Sequence, residues 1–234
     1  MEEPETIVVF GGSSGIGRTC ALLAAKAGKR VRAVGRNREL LNALAKESSV
    51  ETAQADIRNS GEVVQALSGM GRVDHVIVSA GTVTPAGLLS SDMDALRSPF
   101  EERVFGAMNV VRACAPLMSD GSFVFVTGDL VDRPVAGLGS VSAAATAVEA
   151  LVRTWVLELS PLRFNILSPG VVDTPLQTKL FGDGKSEVLA KLAERIPLKR
   201  VGQVDELARS ALLLIENRFI NGATLHVDGG MRLA

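Results

Sequence analysis

The sequence predicts an α/β fold in which one parallel sheet is covered by helices on both faces, and three observations carry that prediction. Short runs rich in Val, Ile, Phe and Thr alternate with longer amphipathic segments along the chain. Such alternation requires crossover connections, which are right-handed and lay successive strands parallel. A glycine-rich turn, FGGSSGIG at 10–17, follows the first strand run and opens the first helical one. With 234 residues and 47% hydrophobic content, the chain buries one sizeable core, so a single domain over 1–234 is expected.

The elements follow in order. The strand runs are TIVVF (6–10), RVRAV (30–34), VETAQA (50–55), DHVIVS (74–79), SFVFVT (122–127), RFNILS (163–168) and ATLHV (223–227). Helical periodicity falls at 15–27, 37–46, 60–68, 94–118, 140–159 and 203–216. The stretch 172–197 is the weakest in sheet character and is broken by Gly182, Asp183 and Gly184. A long excursion of that kind is expected to be a lid or substrate loop rather than a second domain.

Composition excludes several functions. The formal net charge of -1 shows none of the basic excess that nucleic-acid binding needs. The start, MEEPETIVVF, is acidic and turns apolar at once, unlike a signal peptide or an Arg-rich transit peptide. No apolar run reaches the ~18 residues of a membrane span. A cytoplasmic protein that binds no membrane is therefore expected. Cys20 and Cys114 lie in helical patterns and form neither a disulfide framework nor a metal cluster. His75 and His226, the only histidines, lie in separate strands, and no metal site is expected.

The glycine-rich turn carries the first chemistry. Gly11, Gly15 and Gly17 let backbone approach a pyrophosphate, while Ser13, Ser14 and Ile16 lead into a helix whose N-terminal N–H groups favour anions. The same glycines would also serve a tight turn that binds nothing. The second strand runs into Gly35, Arg36 and Asn37, with no acid before Glu39. An acid there would hold the adenosine ribose hydroxyls of NAD, whereas an arginine pairs with the 2′-phosphate of NADP. Arg36 thus favours NADP(H) over NAD(H), the alternative being a solvated arginine at a helix start.

With these residues in view, the chain resembles the short-chain dehydrogenase/reductase family over nearly its whole length. FGGSSGIG is similar to the family's TGxxxGxG, with Phe10 in the threonine's place. Asp56 in QADIR resembles the aspartate that holds the adenine amino group, with Ile57 beside the ring. VSAG at 78–81 keeps Ala80 and Gly81 of the family's NNAG, while Val78 and Ser79 depart. SPGVVDTPL (168–176) resembles the segment that covers the nicotinamide, with Pro169, Gly170, Val172 and Thr174 in register, and HVDGG (226–230) resembles the family's VDGG. The resemblance implies a Rossmann-like sheet of seven parallel strands in the order 3-2-1-4-5-6-7. It also implies a homodimer or homotetramer joined through the helices at 94–118 and 140–159, where Ala143, Ala144, Ala147 and Ala150 suit close packing.

The family's catalytic residues are where this chain departs from it. Its YxxxK pair precedes a Glu-Leu pair at a fixed interval, and counting back from Glu158-Leu159 puts Ala145 at the lysine and Val141 at the tyrosine. Gly128 stands at the family's serine, and Arg103 at its asparagine when Gly106 is aligned. The chain contains no tyrosine at all, so no shift of register restores the usual acid. Carbonyl reduction needs a proton for the developing alkoxide as well as a hydride, and valine supplies none. Ser140 and Ser142 flank Val141 and are expected to face elsewhere, since neighbours on a helix point about 100° apart.

Two weak substitutes are present. Asp129 is the best remaining acid or base, or else a turn-former after Gly128. Arg103 is a cation that fills part of the space the lysine would take and meets a ligand carboxylate or phosphate, or else lies along the helix in solvent. Two functions stay open. One is an NADP(H)-binding protein without conventional catalysis, either cofactor-responsive or a non-catalytic partner of an active homologue. The other is an NADPH-dependent oxidoreductase of atypical mechanism on a small molecule.

Overall fold

A computed structural model describes residues 3–234; Met1 and Glu2, in the acidic start, lie outside the described residues. Seven strands form the main sheet: β1 (Thr6–Phe10), β2 (Arg30–Gly35), β3 (Glu51–Gln54), β4 (His75–Val78), β5 (Ser122–Val126), β6 (Arg163–Pro169) and β9 (Thr224–Val227). Between β6 and β9 lie two-residue strands, β7 (Val172–Asp173) and β8 (Gly202–Gln203), which pair with each other. The main order is β3-β2-β1-β4-β5-β6-β9, every pair parallel. This is the expected seven-strand order, its last strand now β9. Strands from near both ends of the chain share this one sheet.

Both faces are covered, and alternation along the strands sorts the core into two halves. Val8, Phe10, Val76, Phe123, Phe125, Phe164 and Ile166 face one side, and Ile7, Val9, Ile77, Val124 and Leu167 face the other. The first half packs against α3 (Ser60–Ala66), α5 (Gly106–Cys114) and α6 (Gly139–Glu158), the second against α1 (Gly15–Lys26), α2 (Arg38–Glu47) and α9 (Val204–Glu216). Phe123 and Phe164 stack with centroids 4.8 Å apart, and Trp155 of α6 lies 5.7 Å from Phe125 and 5.9 Å from Phe164. This aromatic group seats α6 on the sheet. Its stripe of Val141, Ala144, Ala145, Val148, Val152 and Trp155 is buried at helical spacing.

Two segments differ from the sequence reading. The helix expected over 94–118 is α4 (Met93–Phe100), a π-helical turn at Glu101–Phe105, α5, and a 3₁₀ turn at Ala115–Leu117. Pro99 lacks an N–H, and the ladder widens to the π pattern directly after it. The 172–197 excursion holds two helices, α7 (Pro175–Phe181) and α8 (Lys185–Arg195), separated at Gly182–Gly184. Lys185 pairs with Asp173 at 2.6 Å and ties α8 back to β7. Cys20 and Cys114 are buried and free, with burial pushing both thiols up to about 12. No described helix is long and apolar enough to cross a membrane.

Candidate functional site at the strand C-termini

The glycine-rich turn sits at the C-terminal end of β1 and packs against the end of β4. Gly11 has φ +82°, and a Cβ there would stand 2.5 Å from the Ala80 backbone nitrogen. A Cβ on Gly17 would collide with the Gly11 carbonyl and the Ser79 hydroxyl. Only glycine lets these backbones approach so closely. The Ser14 side chain makes no capping hydrogen bond, so the first N–H groups of α1 stay free of a side-chain partner. Ser13 lies against Gly35, since a Cβ on Gly35 would stand 2.9 Å from its hydroxyl. A Cβ on Gly15 would stand 3.8 Å from Thr174, which brings the segment after β6 beside the loop. Ile16, half-buried, packs against the second half of the core. Pro169 ends β6, Val172 is buried, and a Cβ on Gly170 would stand 2.8 Å from the Asp228 backbone.

At the β2 and β3 ends, Asn37 caps α2 by accepting from the Leu40 N–H at 3.0 Å. Arg36 is half-exposed and pairs with Glu102 at 3.2 Å, with Asp56 4.0 Å away. Arg58 clasps both Asp56 oxygens at 2.5–3.0 Å and holds that carboxyl below its ordinary value. Ile57 packs on Gly106, where a Cβ would stand 2.7 Å from its side chain. The predicted residues therefore gather along one edge formed by the C-terminal ends of β1, β2, β3, β4 and β6.

At the four positions that the resemblance matches to the family's catalytic residues stand Gly128, Val141, Ala145 and Arg103. Val141 and Ala145 are 2% and 3% exposed within the buried stripe of α6. Ser142 turns away, donating to the Leu130 carbonyl at 2.6 Å. Arg103 points inward: its guanidinium lies 2.9 Å from a Cβ built on Gly81, and Nη2 donates to the Thr82 carbonyl at 3.2 Å. Its Nε is enclosed without a partner among the described residues, and burial pulls this guanidinium below its usual range. Asp129 opens a 3₁₀ turn after Gly128, and burial raises its carboxyl to about 6, against the opposing pull of Arg133.

Three features escape the sequence reading. Glu102 is buried, and its Oε2 accepts from both the Thr82 N–H and hydroxyl at 2.6 Å. Its signal was present, because the inward stripe of Leu96 and Pro99 continues through 102 and 103 to Gly106, Ala107 and Val110. Just past the end of β5, the Thr127 hydroxyl donates to Glu149 of α6 at 3.3 Å, and burial raises the Glu149 carboxyl. Ser168, in register with His226, is buried with its hydroxyl unpartnered among the described residues, and His226 lies 3.4 Å from Asp132. No group of three or more His, Cys, Asp or Glu among the described residues has metal-site geometry.

Comparison with known proteins agrees with this architecture. The family model described as enoyl-(acyl carrier protein) reductase matches residues 11–232. Carbonyl reductase family member 4 of Danio rerio is 30% identical, over 97% of each chain. The 3-oxoacyl-[acyl-carrier-protein] reductase of Homo sapiens is 29% identical over 96% of this chain and 97% of its own. Among solved structures, a short chain dehydrogenase/reductase family protein superposes with a TM-score of 0.89 at 29% identity, over 99% of both chains. A small-chain dehydrogenase in complex with NADPH gives a TM-score of 0.84 at 26% identity, over 99% of this chain and 100% of its own. Sheet order, the glycine turn and full-length similarity converge, and the chain belongs to the short-chain dehydrogenase/reductase family.

Proposed function

We propose that this protein binds NADP(H) and does not carry out conventional carbonyl reduction or alcohol oxidation. It serves as a cofactor-responsive protein or as a non-catalytic partner of an active homologue. The observation that carries this reading is the burial of Val141 and Ala145, within the apolar stripe of α6, in a chain that contains no tyrosine. The residues at the strand ends fit a dinucleotide: Gly11 and Gly17 leave a backbone cradle that a Cβ would fill, and α1 presents uncapped N–H groups to a pyrophosphate. Arg36 would meet the 2′-phosphate, Asp56 and Ile57 the adenine, Ala80 and Gly81 the middle of the cofactor, and Pro169 to Thr174 the nicotinamide end. When bound, the nicotinamide supplies hydride chemistry.

One observation favours a second reading, an oxidoreductase of atypical mechanism. Asp129 stands beside the vacant serine position with its carboxyl raised to about 6, so it holds and releases a proton near neutral pH. Arg103 would stabilise developing negative charge without giving up a proton.

Titration with NADPH and separately with NADH, followed by nicotinamide fluorescence, tests the primary reading. NADPH is expected to bind the more tightly, and Arg36→Ala to weaken it by about 10- to 100-fold through the lost charge-assisted contact. Binding of neither nucleotide would overturn it, and turnover of NADPH with simple carbonyls would favour the second reading.

A further inference from the structure

We propose that Glu102 is a specificity-determining residue: its carboxylate holds Arg36 and sets how strongly the protein selects a 2′-phosphorylated adenosine over an unphosphorylated one. The inference rests on the reading that Arg36 faces the 2′-phosphate, and it concerns a residue that reading does not involve.

The ion pair is unequal. The Glu102 side chain is 6% exposed and that of Arg36 is 49% exposed. Glu102 is fixed from behind, because Oε2 takes both donors of Thr82 at 2.6 Å and leaves Oε1 to face Arg36 at 3.2 Å. The other carboxylate near Arg36 is Asp56, at 4.0 Å, and Arg58 already engages both of its oxygens. Arg36 therefore has one anchored counter-charge and one side open to solvent.

A phosphate arriving on that open side meets an arginine that is already paired. Either Arg36 swings to the phosphate and leaves a buried carboxylate short of its partner, or the guanidinium is shared and two anions face each other across it. Both routes subtract from phosphate affinity. A ribose hydroxyl carries no charge and escapes both penalties, so the carboxylate narrows the preference that Arg36 creates.

Isothermal titration with adenosine 2′,5′-bisphosphate and with 5′-AMP tests this without the nicotinamide half. The readout is the affinity ratio of the two probes for wild type, Glu102→Gln, Arg36→Ala and the double variant. Gln keeps an oxygen for the Thr82 donors and removes the charge. The ratio is expected to rise about tenfold in Glu102→Gln, a size set by a unit charge at near-contact range in a half-exposed site. In the Arg36→Ala background the same change is expected to leave the ratio within twofold.

A Glu102→Gln ratio within twofold of wild type overturns the proposal, as does a gain that persists without Arg36. Equal ratios in wild type and Arg36→Ala overturn the phosphate reading of Arg36 itself, and the proposal with it. A ratio that falls in Arg36→Ala but ignores Glu102→Gln overturns only the role of Glu102. Should Glu102→Gln fail to fold by circular dichroism, Glu102→Asp retracts the carboxylate from Arg36 and keeps its charge; a severalfold rise supports the proposal and no rise overturns it.

Discussion

Asp129 and Gly11 represent two ways in which single residues define this site. Burial raises the Asp129 carboxyl to about 6, with Asp228 and Asp132 reinforcing the shift and Arg133 opposing it. A carboxyl raised in the folded state binds its proton more tightly than in the unfolded chain, so it costs stability as pH rises from about 4 through 6. Asp129→Asn is therefore expected to match wild type at pH ~3 and to exceed it by about 3 kcal/mol at pH 7, measured by urea unfolding at each pH. Gly11 combines φ +82° with backbone packed where a Cβ would go, so Gly11→Ala is expected to lose about 3 kcal/mol of stability together with nucleotide binding. The glycines were legible in the sequence because their role is local, fixed by a turn between a strand and a helix. The Asp132–His226 and Arg36–Glu102 pairs were not, because each joins residues far apart in sequence that only the folded sheet brings together.

Among the elements, the strands of the main sheet other than β3 lie where their apolar runs place them, since β-branched and aromatic runs between glycine and polar breaks leave little freedom, whereas β3 (ETAQ) is a half-exposed edge strand. The helices at 93–117 and 175–195 were harder. Pro99 and the π-helical turn after it interrupt a stripe that reads as continuous, and the Gly182–Gly184 break hides two short helices inside an apparent loop. Thr174 followed by Pro175 was a helix-start signal available in the sequence. Helix α6 permits a direct test of the proposed absence of conventional catalysis. Val141→Tyr with Ala145→Lys places a tyrosine and a lysine at a four-residue interval on one buried face. NADPH oxidation with simple carbonyl substrates is expected to appear in the double variant and to be absent from wild type; a silent double variant would show that the surrounding pocket has diverged as well.

At the scale of the molecule, one side of α6 seats on the sheet through Trp155 and the other presents Ala143, Thr146, Ala150 and Thr154 to solvent, with Leu157 exposed at its end. We propose that this outer face pairs with its counterpart in a second subunit. Sedimentation is expected to give a dimer or tetramer for wild type and a smaller species for Ala150→Arg, with circular dichroism unchanged. The sheet order was legible only through the family resemblance, because alternation shows that strands are parallel but not which are neighbours. The apolar residues at positions 141 and 145 carry a last consequence. Buried polar groups burden the fold that holds them, whereas Val141 and Ala145 fill the stripe of α6 with nothing polar to satisfy. The tyrosine–lysine variant is thus expected to melt several degrees below wild type, the trade between activity and stability run in reverse.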